Sequence, residues 1–244
     1  MIAKLEELTK QERIFGNKAR NLGILINQGI LVPDGIAISY EHYLDYLESR
    51  SFKNDFERRL FQELGNSSGQ FAVRSSADIE DSGQRSYAGQ FKTILDVSRD
   101  GIVEAIKQVY DSGINFNSPY SNNFIQMGII IQKMIDAENS GVLFTYDLIN
   151  QNNNSIMAEL SQGKCENIVS GRTNPSLYII DKNSRETLLF EKGNQSVCLN
   201  QDQVYQILSN AKKIESIFGK PQDIEFLFNS DKFYCLQSRD ITTI

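Results

Sequence analysis

The chain has 244 residues, 40% of them hydrophobic, enough to bury the core of one or two closely packed domains and too much for a disordered tail. Lys plus Arg total 25 against 31 for Asp plus Glu, and the net charge of -6 argues against a general electrostatic grip on nucleic acid or an anionic membrane. Cys165, Cys198 and Cys235 form no CxxC pair, the amino terminus lacks the apolar core of a signal peptide, and no apolar run approaches a membrane span, so a soluble, cytoplasmic protein with reduced thiols is expected.

Gly16-Asn17 opens a helical pattern with Ala19, Leu22, Leu25 and Ile26 on one face, and Gly29 closes it. Pro33 follows in a short strand-like segment. Ser39 is placed as the N-cap of a second helix through Tyr43, Leu44 and Leu47, and Phe52 to Leu64 reads as a third. From residue 71 the texture changes: FAVRSSA and FKTILDV are strand-like, separated by the polar stretch DIEDSGQRSYAGQ, which reads as a mobile loop. Ile102 to Tyr110 resumes helical spacing, and the β-branched run from Phe124 to Ile135 predicts a buried central strand.

Beyond it GVLFTYD, SIMAELS, SLYIID and ETLLFEK read as short strands, with one helix at Gln201 to Phe218. The closing QDIEFLFNSDKFYCLQSR reads as a hairpin whose turn is Asn229-Ser230-Asp231-Lys232. The expected fold class is mixed α+β with two lobes.

Three stretches carry residues suited to phosphate chemistry. In the hairpin, strand periodicity puts Gln237 and Arg239 on one face, and pairing across the turn brings Glu225 beside them. A carboxylate and an amide carbonyl are a sensible protein share of a magnesium shell completed by phosphates and water, and an arginine holds a phosphate oxygen bidentately. Arg74, in an apolar strand, binds phosphate or pairs with a structural carboxylate. The small residues of Ser86-Tyr87-Ala88-Gly89-Gln90 let backbone amides approach an anion, although the loop matches neither the Walker pattern nor GxGxxG. Read singly, each stretch is equally well an ordinary polar strand face or turn.

Taken in order, Gly16-Asn17-Lys18-Ala19, AVRSSA with Glu80-Asp81 after it, SYAGQF, IIIQKM, SGVLFT, DIEF and LQSR make the sequence resemble the nucleotide-binding domain of pyruvate phosphate dikinase and phosphoenolpyruvate synthase. That domain also occurs in rifampicin phosphotransferase. The motifs run from about residue 16 to residue 242.

The resemblance implies an ATP-grasp-like α+β fold, with a lobe at 1–134 and a lobe at 135–244 clamping ATP and a hinge near Gln132 to Ile135. It assigns Lys18 and Arg74 to the nucleotide phosphates and folds the Ser86, Ala88 and Gly89 loop over them. Gln132 and Met134 address the adenine edge through their backbone groups. Glu225 and Gln237 become the Mg2+ ligands, with Arg239 beside them and Glu166 near the nucleotide. Lys18, Arg74 and Arg239 are the expected catalytic cations.

In that family a phosphoryl group passes from ATP to a histidine on a swivelling domain, with release of AMP, and that domain then visits a substrate domain. Three departures shape the expectation. The only histidine, His42 in SYEHYLDYL, is not in a phosphohistidine context, and the sequence ends at QSRDITTI, so a separate carrier protein is expected to supply the acceptor and the substrate domain. The GLGE-like turn reads Gly163-Lys164-Cys165-Glu166, and Asp240 stands where a proline is usual. A kinase or ligase acting directly on a small molecule, and a non-catalytic ATP-binding module, are the alternative expectations.

Overall fold

A computed structural model describes residues 1–10, 12–77, 91–114, 125–163, 173–194 and 197–241. Backbone contacts divide the chain into two units: Met1–Asn27 with Pro33–Met134, and Gln28–Val32 with Ile135–Ile244. The short 28–32 segment belongs to the second unit because the Leu31 carbonyl accepts the Cys235 N–H at 2.8 Å.

The first unit is a five-stranded sheet in the order β1-β2-β5-β3-β4, where β1 is Ile2–Lys4, β2 Gly35–Ile38, β3 Phe71–Ala77, β4 Thr93–Val97 and β5 Met127–Lys133. All its pairings are antiparallel. β5 occupies the centre, as its β-branched run predicts. One face, carrying Ile36, Ile38, Phe71, Val73, Ile129 and Ile131, forms a single apolar cluster with three helices, α2 (Glu41–Ser49), α3 (Phe56–Leu64) and α4 (Ile102–Ile114). The alternate residues Ala37, Ala72, Arg74, Ser76, Gly128, Ile130 and Gln132 face the other way, toward α1 (Asn17–Asn27) and the 3-10 turns at Leu5–Glu7 and Arg13–Phe15.

Two helix starts differ from the sequence reading. α2 begins at Glu41 with Tyr40 as N-cap, because the Ser39 hydroxyl is otherwise occupied: it accepts from the Met1 ammonium and donates to Glu41 at 3.0 Å. The β1–β2 pairing, Ile2 opposite Ile38, brings the amino terminus there. α3 begins at Phe56, while Phe52 stacks on its ring with centroids 4.1 Å apart, so Phe52 packs the core without being helical.

The second unit is a six-stranded sheet in the order β11-β10-β6-β7-β8-β9, all antiparallel. The strands are β6 Asn139–Phe144, β7 Ser155–Gln162, β8 Ser176–Asp181, β9 Thr187–Glu191, β10 Gln222–Asn229 and β11 Lys232–Asp240. Helix α5, Gln201–Phe218, packs across β10 and β11. Its start is a capping box, in which Asn200 accepts from the Gln203 N–H at 2.8 Å and Gln203 accepts from the Asn200 N–H at 3.1 Å. Its end is Gly219 at φ +71°. Ile224, Phe226, Phe228, Phe233 and Cys235 are buried on one side of the hairpin, with Phe226 and Phe233 stacked at 5.0 Å. Of the intervening residues of β10, Asp223 and Glu225 are acidic and Leu227 is buried.

Among the described residues no helix is long and apolar enough to cross a membrane. Among the described residues neither Cys198, which is exposed, nor Cys235, which is buried, is in a disulfide.

Candidate functional site

In the second unit the site is a row of side chains on the face of β10 and β11 that alternates with the buried phenylalanines. Glu225 stands directly opposite Gln237, and Asp223 directly opposite Arg239. A two-residue turn at Ser230-Asp231 with an unbroken ladder would set Glu225 against Leu236, as Asn229 opposite Lys232 and Phe226 opposite Cys235 require. A bulge between Glu225 and Phe226 leaves Leu236 as an extra residue and shifts everything after it by one position. The carboxylate, the amide and the arginine therefore reach a common face.

Asp223 is a member of this group that the sequence reading passed over, although two-residue alternation from Glu225 is a signal for it. Its Oδ2 accepts from Arg239 Nε at 2.8 Å and also from Nη2. Burial pushes the Asp223 carboxyl above the ordinary carboxylate range, Arg239 pulls it back, and the neighbouring Glu225 charge adds to the upward push. Gln237 is buried, Glu225 and Arg239 are half-buried, and all three are engaged in further interactions.

Farther along the same face Val142 of β6 pairs with Glu225 on one side and with Glu159 of β7 on the other. Burial raises the Glu159 carboxyl above its ordinary value of 4.5. Among the described residues no group of three or more His, Cys, Asp and Glu converges as an all-protein metal cage. The donor set instead suits Mg2+, which takes one or two protein oxygens and completes its octahedron from phosphates and water. Glu225 and Gln237 are the residues that would hold it.

In the first unit Lys18 lies in the opening turn of α1. The next residue, Ala19, donates its N–H to the buried Ser76 hydroxyl at 3.1 Å, and Gly16, at φ +80°, lies so close to Ser76 that a Cβ there would meet its carbonyl oxygen at 1.8 Å. Ser76 shares its strand face with Arg74, two residues earlier. The GNKA and AVRSSA motifs are thus brought together by one glycine-tight packing contact, and Lys18 and Arg74 fall on the same side of the sheet. Both take part in other interactions.

Gln132 lies on that face too, opposite Ala72 and hence diagonal to Arg74. Its Nε2 donates to the Pro33 carbonyl at 3.3 Å. Met134 follows β5, with its N–H donated to the Gln70 carbonyl at 2.9 Å and its Sδ accepting from the Asp96 N–H at 3.1 Å. A donor role for the Met134 amide toward a base requires giving up that bond. Ser86, Ala88, Gly89 and Glu166 lie outside the described residues, as do Glu80, Asp81 and most of the Gly163-Lys164-Cys165-Glu166 turn. Gly163, which opens that turn, has φ +77°, a conformation that glycine adopts freely.

His42 sits at the edge of the first core, its ring centroid 5.0 Å from that of Phe56 and its Nε2 buried with no hydrogen-bond partner among the described residues. Burial, with a smaller push from the amino-terminal ammonium, lowers its pKa to about 4.

Residues 54–197 and 188–244 match the family described as pyruvate phosphate dikinase, AMP/ATP-binding domain. The chain belongs to this family, whose curated relatives are phosphotransferases. It is 30% identical to phosphoenolpyruvate synthase of Pyrococcus furiosus over 226 aligned positions, covering 77% of this chain and 28% of that protein. It is 28% identical to the rifampicin phosphotransferase of Bacillus subtilis over 313 aligned positions, covering all of this chain and 36% of the relative. The chain spans about a third of the length of the curated relatives it matches. Among solved structures it resembles PH1788 from Pyrococcus horikoshii, with TM-score 0.51 and 10% identity, over 92% of this chain and 89% of that one. The architecture is mixed α+β with two sheets, the fold class expected from the sequence.

Proposed function

We propose that this chain binds ATP with Mg2+ and transfers a phosphoryl group to a histidine on a separate carrier protein, with one water consumed and AMP and phosphate released, as one component of a split dikinase- or synthase-like system. The observation that carries the reading is the bulge-set pairing of Glu225 with Gln237 beside the Asp223–Arg239 ion pair, in a chain of the AMP/ATP-binding family.

Glu225 and Gln237 would hold the metal through their side-chain oxygens. Arg239 meets the phosphates from the same face, and Lys18 and Arg74 are the further phosphate-binding cations that the family resemblance implies. Bound Mg2+ supplies charge neutralisation across the phosphates of the nucleotide. The cations of the chain hold the phosphates in place and take up the charge that develops on them as the phosphoryl group leaves. His42 is unsuited to accept it, since its Nε2 is buried, so the acceptor lies outside these 244 residues.

The test is incubation of the protein with ATP labelled at the β- or γ-phosphate and with candidate carrier proteins from the native cells. Label on a carrier histidine, with AMP and orthophosphate as products, supports the reading. ADP together with a phosphorylated small molecule replaces it with a direct kinase. Bound ATP with no turnover beside any carrier replaces it with a non-catalytic module.

A further inference from the structure

We propose that the outer edge of β9 and the start of α5 form a docking groove for an extended segment of a partner protein, which adds a short strand to β9 and sets an acidic side chain on Arg185. The groove belongs to the second unit, at the edge of the six-stranded sheet opposite to β11, and the inference is independent of the nucleotide reading.

β9 closes the sheet, and among the described residues nothing pairs with its outer edge. An open edge is a template for another strand, which proteins normally cover or keep polar. β9 is apolar instead: Leu188 is 56% exposed and Phe190 42% exposed. Ile179 of β8 stands opposite Leu189 and Ile180 opposite Thr187, so Leu188 is an extra residue with no partner on β8. The bulge also limits what the edge accepts, since regular pairing is confined to residues 189–191. That stretch takes a short segment and does not support an open-ended sheet.

Beside the edge lies a cavity of about 400 Å3 whose walls include Arg185, Thr187, Leu199, Val204 and Tyr205. Edge and cavity form one surface. The Phe190 ring packs on Tyr178 with centroids 4.7 Å apart, and the Tyr178 hydroxyl accepts from the Leu199 N–H at 3.1 Å and donates to the Val197 carbonyl at 2.8 Å. The far wall is fixed beforehand, because the Asn200–Gln203 capping box holds the first turn of α5.

Charge selects the partner. Arg185 is exposed in a left-handed turn at φ +64°, and its guanidinium carbon stands 5.1 Å from the centroid of the Tyr205 ring. Among the described residues it makes no ion pair and is the one charged side chain lining the cavity. A cation laid on a ring above the apolar Leu199 and Val204 suits a carboxylate flanked by apolar side chains. Arginine and aromatic residues are the types that dominate binding at interface centres, and strand addition beside a side-chain pocket is a recurring mode of peptide capture.

The experiment is selection of a random-sequence linear peptide library on the full chain, followed by anisotropy titration of the enriched peptides. The expected sequences combine an acidic residue with apolar ones at alternate positions. Arg185→Ala and Phe190→Ala each weaken their binding about tenfold. Changing the acidic residue of the peptide to its amide costs the same factor against the wild type and nothing against Arg185→Ala. Methylating the peptide backbone nitrogens one at a time abolishes binding at alternate positions, as strand pairing requires. Because Phe190 packs on Tyr178, Leu188→Ala takes its place if Phe190→Ala melts early.

Failure to enrich such sequences over a support without protein overturns the proposal, as does wild-type affinity in the Arg185 and β9 variants. Light scattering on the peptide-free chain is the second measurement: a dimer that the β9 variant disperses assigns the edge to a second copy of the chain and overturns the peptide groove.

Discussion

Glu225 and Gln237 face one another because Leu236 is one residue too many for the ladder between them. Across a bulge two residues on one strand oppose one on the other, and every side chain beyond it changes its partner. In an unbroken ladder the carboxylate would meet a leucine, and Asp223 would meet Ser238 instead of Arg239. The bulge is therefore what assembles the acidic face, and several outcomes follow from the placement of individual residues around it.

Glu225→Ala is expected to abolish magnesium-dependent ATP binding. The substitution removes the proposed metal-binding carboxylate from a partly exposed strand position, so folding should persist. Calorimetric titration with ATP, with and without Mg2+, reads the effect; wild-type heats in the presence of Mg2+ would remove Glu225 from the metal site.

Gly16→Ala is expected to destabilise the first unit by at least about 2 kcal/mol, from strained backbone at positive φ together with a Cβ driven into the Ser76 carbonyl. The helix start that carries Lys18 must then lift off β3, so ATP affinity should fall with stability. Urea denaturation followed by a nucleotide titration checks both, and an unchanged midpoint would contradict the close approach.

His42 should give the protein a pH-dependent stability with a definite sign. Its folded pKa, about 4, lies below the ordinary 6.5, so stability is complete above 6.5. It declines as the pH falls from 6.5 toward 4, because in that interval the unfolded chain takes up the proton and the folded chain does not. Thermal melts across this range should show a shallower decline in His42→Leu than in the wild type, and parallel curves would show that the ring is not held neutral.

Arg74→Ala is expected to weaken ATP binding about tenfold or more, the scale of a lost charge-assisted contact. The cost in stability should be smaller than that of a core truncation such as Phe226→Ala, for which about 3–5 kcal/mol is expected. Equal losses of stability from the two substitutions would mark Arg74 as a structural ion-pair residue.

Much of the fold was legible because it depends on local periodicity. α1, β3, β5, α5 and the closing hairpin fall where alternation, helical spacing and turn residues put them, and the capping box at Asn200 and Gln203 shows why the boundary of α5 is so well marked. Where the reading slipped, the cause was a side-chain contact that residue type and helical spacing do not encode. Ser39 has the composition of an N-cap, but its hydroxyl is taken by the Met1 ammonium, 38 residues away. Phe52 has helical spacing, but it is consumed by ring stacking on Phe56 and Tyr46.

The sequence by itself determined which residues are chemically able to hold phosphate and a hard cation, and the ordered motifs that place the chain in its family. Residue type and near-neighbour spacing are enough for that. The tertiary structure decided which of those residues meet. A bulge at Leu236 selects the partners of Glu225 and Asp223, and a glycine pressed against Ser76 brings Lys18 to the strand of Arg74. Both depend on pairing and packing between segments far apart in the chain, where a shift of one residue turns a side chain to the opposite face.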